Sequence, residues 1–224
     1  MHLVEDKKHR TRILLVDDHQ VVIGGIKSAL EDHPEFLVVG EAYNGRDAVR
    51  KARQLKPDIV IMDISLPDLN GMDATMQIKK GDPSIHIIVF TMHADREYVV
   101  NLLKAGISAY VLKEDSITDL VLAIQAVKRG GTYFSTTAPK VWLEHGMGLN
   151  NEDHARNGFD ALSLREREVL QLLAEGYSVK DVAWKLDLSP KTVETHKHNI
   201  MEKLGANSLV ELARIAIRKK LIQA

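Results

Sequence analysis

Five short apolar runs, rich in β-branched residues, punctuate the first half of the chain: ILLVDD (13–18), FLVVGEA (36–42), DIVIMDI (58–64), HIIVFTM (86–92) and AYVLK (109–113). Each is too brief for an ordinary helix and lacks a polar alternation, so each reads as a strand covered on both faces. Between them, VVIGGIKSALED, GRDAVRKARQLK, MDATMQIKKG, EYVVNLLKAG and ITDLVLAIQAVKRG place apolar residues at three- and four-residue spacing, with Gly106, Gly130 and Gly131 where helices end. A strand followed by a helix, repeated in this way, specifies a doubly wound α/β unit: a five-stranded parallel sheet with helices on both faces.

In such a sheet, ligands bind beyond the carboxyl ends of the strands. That rule brings together Asp17 and Asp18 after the first strand, Asp63 after the third, Thr91 at the end of the fourth and Lys113 after the fifth. A single Asp at a strand end is ordinarily a solvated loop carboxylate. Five polar groups converging from four strands are not so explained. Three neighbouring carboxylates repel one another unless a cation joins them. Oxygen donors of this kind suit Mg2+, which takes a few carboxylates, keeps waters and binds phosphate oxygens. Lys113 supplies a point charge and Thr91 a hydroxyl for a phosphoryl group, and Asp63 is the natural nucleophile, since a carboxylate can form an acyl phosphate. His19 is set aside as the start of the first helix or a solvent-facing residue, because imidazole does not suit Mg2+.

The second half differs. TTAPKVWLEH reads as a short extra helix, and HGMGLNNEDHARNGFD (145–160) as a linker without apolar periodicity, free to let two domains move. The expected limits are a tail over 1–11, the α/β domain over 12–133, a linker with a short helix over 134–160 and a small all-α four-helix domain over 161–224. In the last, Ser163 and Glu166 form a capping box, and Ser189 caps a helix with Pro190 at its first position. SVKDVAWKLDLSPKTVETHKHNIMEKLG reads as helix-turn-helix, whose second helix enters the major groove of double-stranded DNA. Val179, Val182, Ala183 and Leu186 from the first helix and Val193, Ile200 and Leu204 from the second face the core, joined by Tyr177 and Trp184. Lys191, Thr192, Glu194, Thr195, Lys197, His198 and Asn199 lie on exposed sides, with Thr195 and His198 for base edges and Lys191 and Lys197 for phosphates. His196 and His198 diverge by about 200° on a helix, which makes them a poor metal pair.

Charge follows the same division. Residues 13–133 hold 17 Asp and Glu against 13 Lys and Arg, and residues 160–224 hold 9 against 11, inside a chain of net charge -1. An acidic front and a basic back suit a cation and a polyanion respectively. The absence of cysteine excludes disulfides, thiolate metal sites and a thiol nucleophile, and fits a reducing cytoplasm. No apolar run is long enough to span a membrane.

The motifs LLVDDH, IVIMDISLPDLNG, IVFTMH and AYVLKED resemble the receiver domain of bacterial two-component response regulators, flavodoxin-like in fold. The stretch LSLREREVLQLLAEG through SPKTVETHKHNIMEKLG resembles the LuxR-type DNA-binding domain, and the two halves together resemble the NarL/FixJ family. The resemblance implies that Asp63 accepts phosphate from a sensor histidine kinase. It implies that Asp18 holds Mg2+ directly, Asp17 through water, and the Ser65 backbone carbonyl as a further ligand. Thr91 and Lys113 become the switch hydroxyl and phosphate-binding lysine, Tyr110 the switch aromatic that turns inward, and Pro67 and Gly71 parts of the loop after the acceptor. Glu114 stands where many receivers have proline, and Glu194 where many relatives have lysine, there to meet a cytosine amino group or to avoid a phosphate. The implied output is homodimerisation and exposure of the recognition helix for transcription control, with no chemistry beyond the receiver's own phosphorylation and dephosphorylation. Two other readings compete. A haloacid-dehalogenase-like phosphatase would need a second Asp two residues after its nucleophile, where this chain has Ser65. A phosphorylation-independent LuxR-type factor would have little use for an intact acidic set.

Overall fold

The computed structural model describes residues 10–92, 96–135, 158–159, 161–219 and 221–222; of residues 96–98 it describes the backbone alone. Most of the 1–11 tail, the helix read in TTAPKVWLEH and nearly all of the linker lie outside the described residues. The first domain runs β1 (Thr11–Val16), α1 (Gln20–Glu31), β2 (Phe36–Ala42), α2 (Gly45–Leu55), β3 (Ile59–Met62), α3 (Gly71–Gly81), β4 (His86–Thr91), α4 (Arg96–Lys104), β5 (Ala109–Leu112), α5 (Ile117–Lys128) and β6 (Tyr133–Phe134). The sheet has the order β2-β1-β3-β4-β5-β6, with every pair parallel. The sixth strand is an addition to the five expected. Two residues show no periodicity, and Tyr133 and Phe134 join the sheet by pairing with Ala109 and Tyr110.

The unbroken apolar runs have a direct cause: both faces of the sheet are covered. On one face Leu14, Val16, Val60, Met62, Val89 and Tyr110 pack with Val49 and Ala52 of α2 and Ile78 of α3. On the other, Ile13, Leu15, Ile59, Ile61, Ile88 and Val111 pack with Ile23 and Ile26 of α1 and Leu120 and Ile124 of α5. Successive strand residues thus serve opposite cores, the period of two that a pleated strand imposes. The order reverses at β1, which has β2 on one side and β3 on the other, so a crevice opens beyond the carboxyl ends of β1 and β3.

The second domain consists of α6 (Leu164–Ala174), α7 (Val179–Leu186), α8 (Pro190–Leu204) and α9 (Leu209–Arg218). Serine caps all four: Ser163 with Glu166 in a capping box, Ser178, Ser189 with Pro190 following, and Ser208. Val182, Ala183, Leu186, Val193 and Ile200 are buried in one cluster, with Val179 and Leu204 packed at its margin. Trp184 and Tyr177 correct the expectation. Trp184 is 84% exposed, and Tyr177 sits at the surface with the Lys185 ammonium 4.4 Å from its ring centroid. The α7 face that meets the core is set by Val182, Ala183 and Leu186, and residue 184 lies about 200° from residues 182 and 186.

Helix α6 is buried from Glu168 through Leu173 without a break. A helix covered all round has partners on two sides. One side is the helical domain's own core, and the other is the α/β domain, against which α6 docks.

Candidate functional site

Asp17 and Asp63 follow β1 and β3 directly and are 2% and 3% exposed, Thr91 ends β4 fully buried, and Lys113 follows β5. The Lys113 ammonium bridges the two acids, 2.6 Å from Asp17 Oδ2 and 2.8 Å from Asp63 Oδ2. Burial is the largest single influence on this lysine and lowers its pKa; the attraction of Asp63 and Asp17 together outweighs it, so the net displacement is upward and the ammonium stays charged. The other Asp63 oxygen accepts the Ile64 amide at 2.6 Å and the Ser65 amide at 3.5 Å. Asp63 is therefore fixed at both oxygens.

The loop after Asp63 turns back on itself. The Gly71 amide donates to the Ile64 carbonyl at 2.8 Å, and a Cβ on Gly71 would stand 1.9 Å from the Asp63 carbonyl oxygen. Only glycine admits that approach. Asp68, at φ +64°, makes the left-handed corner that Pro67 leads into.

Asp17, Asp18, His19 and Asp63 each bring one ligand atom within 4.8 Å of the rest. Lys113 offsets one of the three carboxylate charges and leaves two formal negative charges, the deficit a divalent ion matches. The oxygen donors fit Mg2+. His19 does begin α1, yet its Nδ1 lies 2.9 Å from Asp18 Oδ1 and 3.3 Å from Asp17 Oδ1, closer to the acids than its place in the sequence suggested. Ser65 lines a cavity of about 400 Å³ with Asp18, Leu66 and Pro67 on one side and Ala174, Glu175, Leu221 and Ile222 on the other. Tyr110 is 1% exposed and already lies inward in the core, where Phe134 of β6 packs against the same cluster.

On α8, Lys191, Glu194, Thr195 and His198 are exposed, and Thr192, Lys197 and Asn199 are half-buried. Lys197 Nζ lies 3.2 Å from Glu194 Oε2, so the acid holds a neighbouring lysine on an exposed face, a pairing worth a fraction of a kcal/mol. The Thr195 hydroxyl donates to the Lys191 carbonyl at 3.0 Å, and the Thr192 hydroxyl lies 2.8 Å from that of Ser189. Among the described residues, the polar contacts that cross between domains reach α6, Glu175 and Lys185, not α8. The recognition helix stands exposed beside the docked receiver, whereas its exposure was expected only as an output of switching.

Known proteins match both halves. Residues 13–125 match the response regulator receiver domain, and residues 160–216 the luxR family of bacterial regulatory proteins. The chain is 38% identical over 215 residues to the oxygen regulatory protein NreC of Staphylococcus aureus (strain MRSA252), covering 95% of this chain and 99% of the relative. It resembles the RcsB response regulator of Salmonella typhimurium at 30% identity and a TM-score of 0.57, over 92% of this chain and 98% of that one. It also resembles a LuxR-family two-component response regulator from Aurantimonas sp. SI85-9A1 at 36% identity and a TM-score of 0.58, over 62% of this chain and 99% of that one. A further similar structure, 29% identical with a TM-score of 0.57 over 92% of this chain and 96% of its own, holds two RcsB dimers on two parallel DNAs. No helix among the described residues is long and apolar enough to cross a membrane. The chain belongs to the response regulators that join a phosphorylatable receiver domain to a LuxR-type DNA-binding domain.

Proposed function

We propose that this regulator, with a receiver over residues 12–133, a linker over 134–160 and a DNA-binding domain over 161–224, accepts a phosphoryl group on Asp63 from a cognate sensor histidine kinase. The observation that carries this reading is the Lys113 bridge between Asp17 and Asp63 at the carboxyl edge of the sheet. An Asp63 carboxylate oxygen forms the new O–P bond as the P–N bond to the donor imidazole breaks, and that imidazole nitrogen takes up a proton. Asp17, Asp18, Asp63 and the Ser65 carbonyl would hold Mg2+, which when bound neutralises charge on the transferring group. Lys113 releases Asp63 and pairs with a phosphoryl oxygen, a charge-assisted contact that replaces the one it gives up. The Thr91 hydroxyl, at the end of β4, donates to another.

The new group adds negative charge and three strong acceptors at one sheet edge. This change leads to homodimerisation and to major-groove binding by α8. Thr195 and His198 reach base edges, with Thr192, Glu194 and Asn199 beside them, and Lys191 and Lys197 meet phosphates. The DNA-bound dimers of RcsB support that output. Such a protein works in the cytoplasm and catalyses only its own phosphorylation and dephosphorylation. Acetyl phosphate with Mg2+ tests the assignment: the wild type becomes stably labelled and Asp63→Asn does not. Undiminished label on the variant would place the acceptor elsewhere, and turnover of many equivalents would make the chain a phosphatase.

A further inference from the structure

The Gln171 side chain is fully buried on α6, between two domains, and both ends of its amide are used. Its Oε1 accepts the Asn70 backbone amide at 2.8 Å, and its Nε2 donates to the Leu66 carbonyl at 3.0 Å. These two groups bracket residues 67–69 of the loop that follows Asp63. The same Nε2 donates to Glu175 Oε1 at 2.8 Å, and that oxygen accepts the Asp68 amide at 3.2 Å. A single side chain of the helical domain thus holds the backbone of the receiver's acceptor loop on both arms.

We propose that Gln171 is a positioning residue for the acceptor loop, through which docking of the helical domain retards phosphoryl acceptance. The inference rests on the assignment of Asp63 as acceptor. The loop held by Gln171 is the loop whose Ile64 and Ser65 amides engage Asp63 Oδ1 while Lys113 engages Oδ2. A carboxylate engaged at both oxygens is in its resting arrangement, and accepting a phosphoryl group requires at least one oxygen to be released. Fixing Leu66, next to Ser65, favours that resting arrangement. Glu175, on the wall of the cavity it shares with Asp18 and Ser65, adds a second hold on the loop through the Asp68 amide. Coupling of this kind is reciprocal: what docking does to phosphoryl acceptance, a phosphoryl group does to docking.

The test uses the full chain. Gln171→Met fills the same volume without the amide. Gln171→Glu, when ionised, still accepts from the Asn70 amide but cannot donate to the Leu66 carbonyl. Gln77→Leu removes a different contact across the domains, the one from Gln77 to Glu168 at 2.8 Å, and leaves the loop untouched. Labelling by acetyl phosphate in Mg2+ is followed over time, with thermal unfolding as a check that each variant is folded. The expected result is labelling of Gln171→Met roughly two- to tenfold faster than wild type, the factor carried by one hydrogen bond of ordinary net worth. Gln171→Glu should fall between the two, and Gln77→Leu within about twofold of wild type. Equal rates for wild type and Gln171→Met would overturn the inference, as would equal acceleration by Gln77→Leu. A wild type that takes no label would instead overturn the acceptor assignment.

Discussion

Replacing Lys113 with methionine keeps the volume of the side chain and removes its charge. Asp17 and Asp63 then face each other in a pocket where their side chains are each 3% exposed, with Asp18 beside them. Losing one member of a buried ion pair costs about 3–5 kcal/mol, because the charge left behind is uncompensated. Here two acids lose the same partner, so Lys113→Met should lie toward the upper part of that range in metal-free buffer near pH 7. A bound divalent ion offsets part of the loss. Mg2+ at a hundred times its dissociation constant adds about 2.7 kcal/mol to the stability of any chain that binds it only when folded. Urea unfolding of wild type and variant, with chelator and with Mg2+, reads both quantities. A variant as stable as wild type in chelator, or one indifferent to Mg2+, would refute the view that Lys113 and a divalent ion share the neutralisation of one acidic site.

Gly71→Ala should cost at least about 2–3 kcal/mol by thermal unfolding, since its Cβ meets the Asp63 carbonyl oxygen rather than a side chain that can turn away. On DNA, Thr195→Ala and His198→Ala should each reduce discrimination between a selected site and random sequence by about 1–3 kcal/mol. Lys197→Ala should weaken both complexes alike and flatten the salt dependence by about one unit of slope, measured by fluorescence anisotropy. Burial raises the pKa of Glu175 and of Asp73 above ordinary carboxyl values, the second despite Arg167 at 3.5 Å. Their contribution to the stability of the folded chain is full below the unfolded carboxyl range and lost as pH rises through the raised values. Thermal unfolding should accordingly show stability falling over that interval, and Glu175→Gln should reduce the effect.

The strands and the polar edge were legible in the sequence for one reason. A parallel sheet covered on both faces leaves unbroken apolar runs, and their ends fix where Asp17, Asp63, Thr91 and Lys113 must meet. Trp184 misled because α7 has only eight residues, with apolar side chains at 179, 182, 183, 184 and 186, too few to set the phase of its buried face. The role of His19 depends on how the chain enters α1, which spacing does not report. The docking of the domains was not legible from periodicity, yet a signal existed. Gln171 sits in VLQLLA, inside a run buried from Glu168 to Leu173, and the helical domain partners its polar residues only in part: Arg165 and Glu175 take some of their capacity, and Asn70, Leu66 and Gln77 of the receiver take the rest. A buried amide between leucines asks for a second surface.

The central claim is that chemistry at Asp63 governs what the helical domain does on DNA. Its most direct test is the affinity of the full chain for a selected DNA site, measured by fluorescence anisotropy before and after treatment with acetyl phosphate and Mg2+, in wild type and in Asp63→Asn. The account predicts that treatment raises the affinity of the wild type and leaves the variant unchanged. Equal affinity of the wild type in both states, with the label verified on Asp63, would contradict it and leave a DNA-binding protein indifferent to its own receiver.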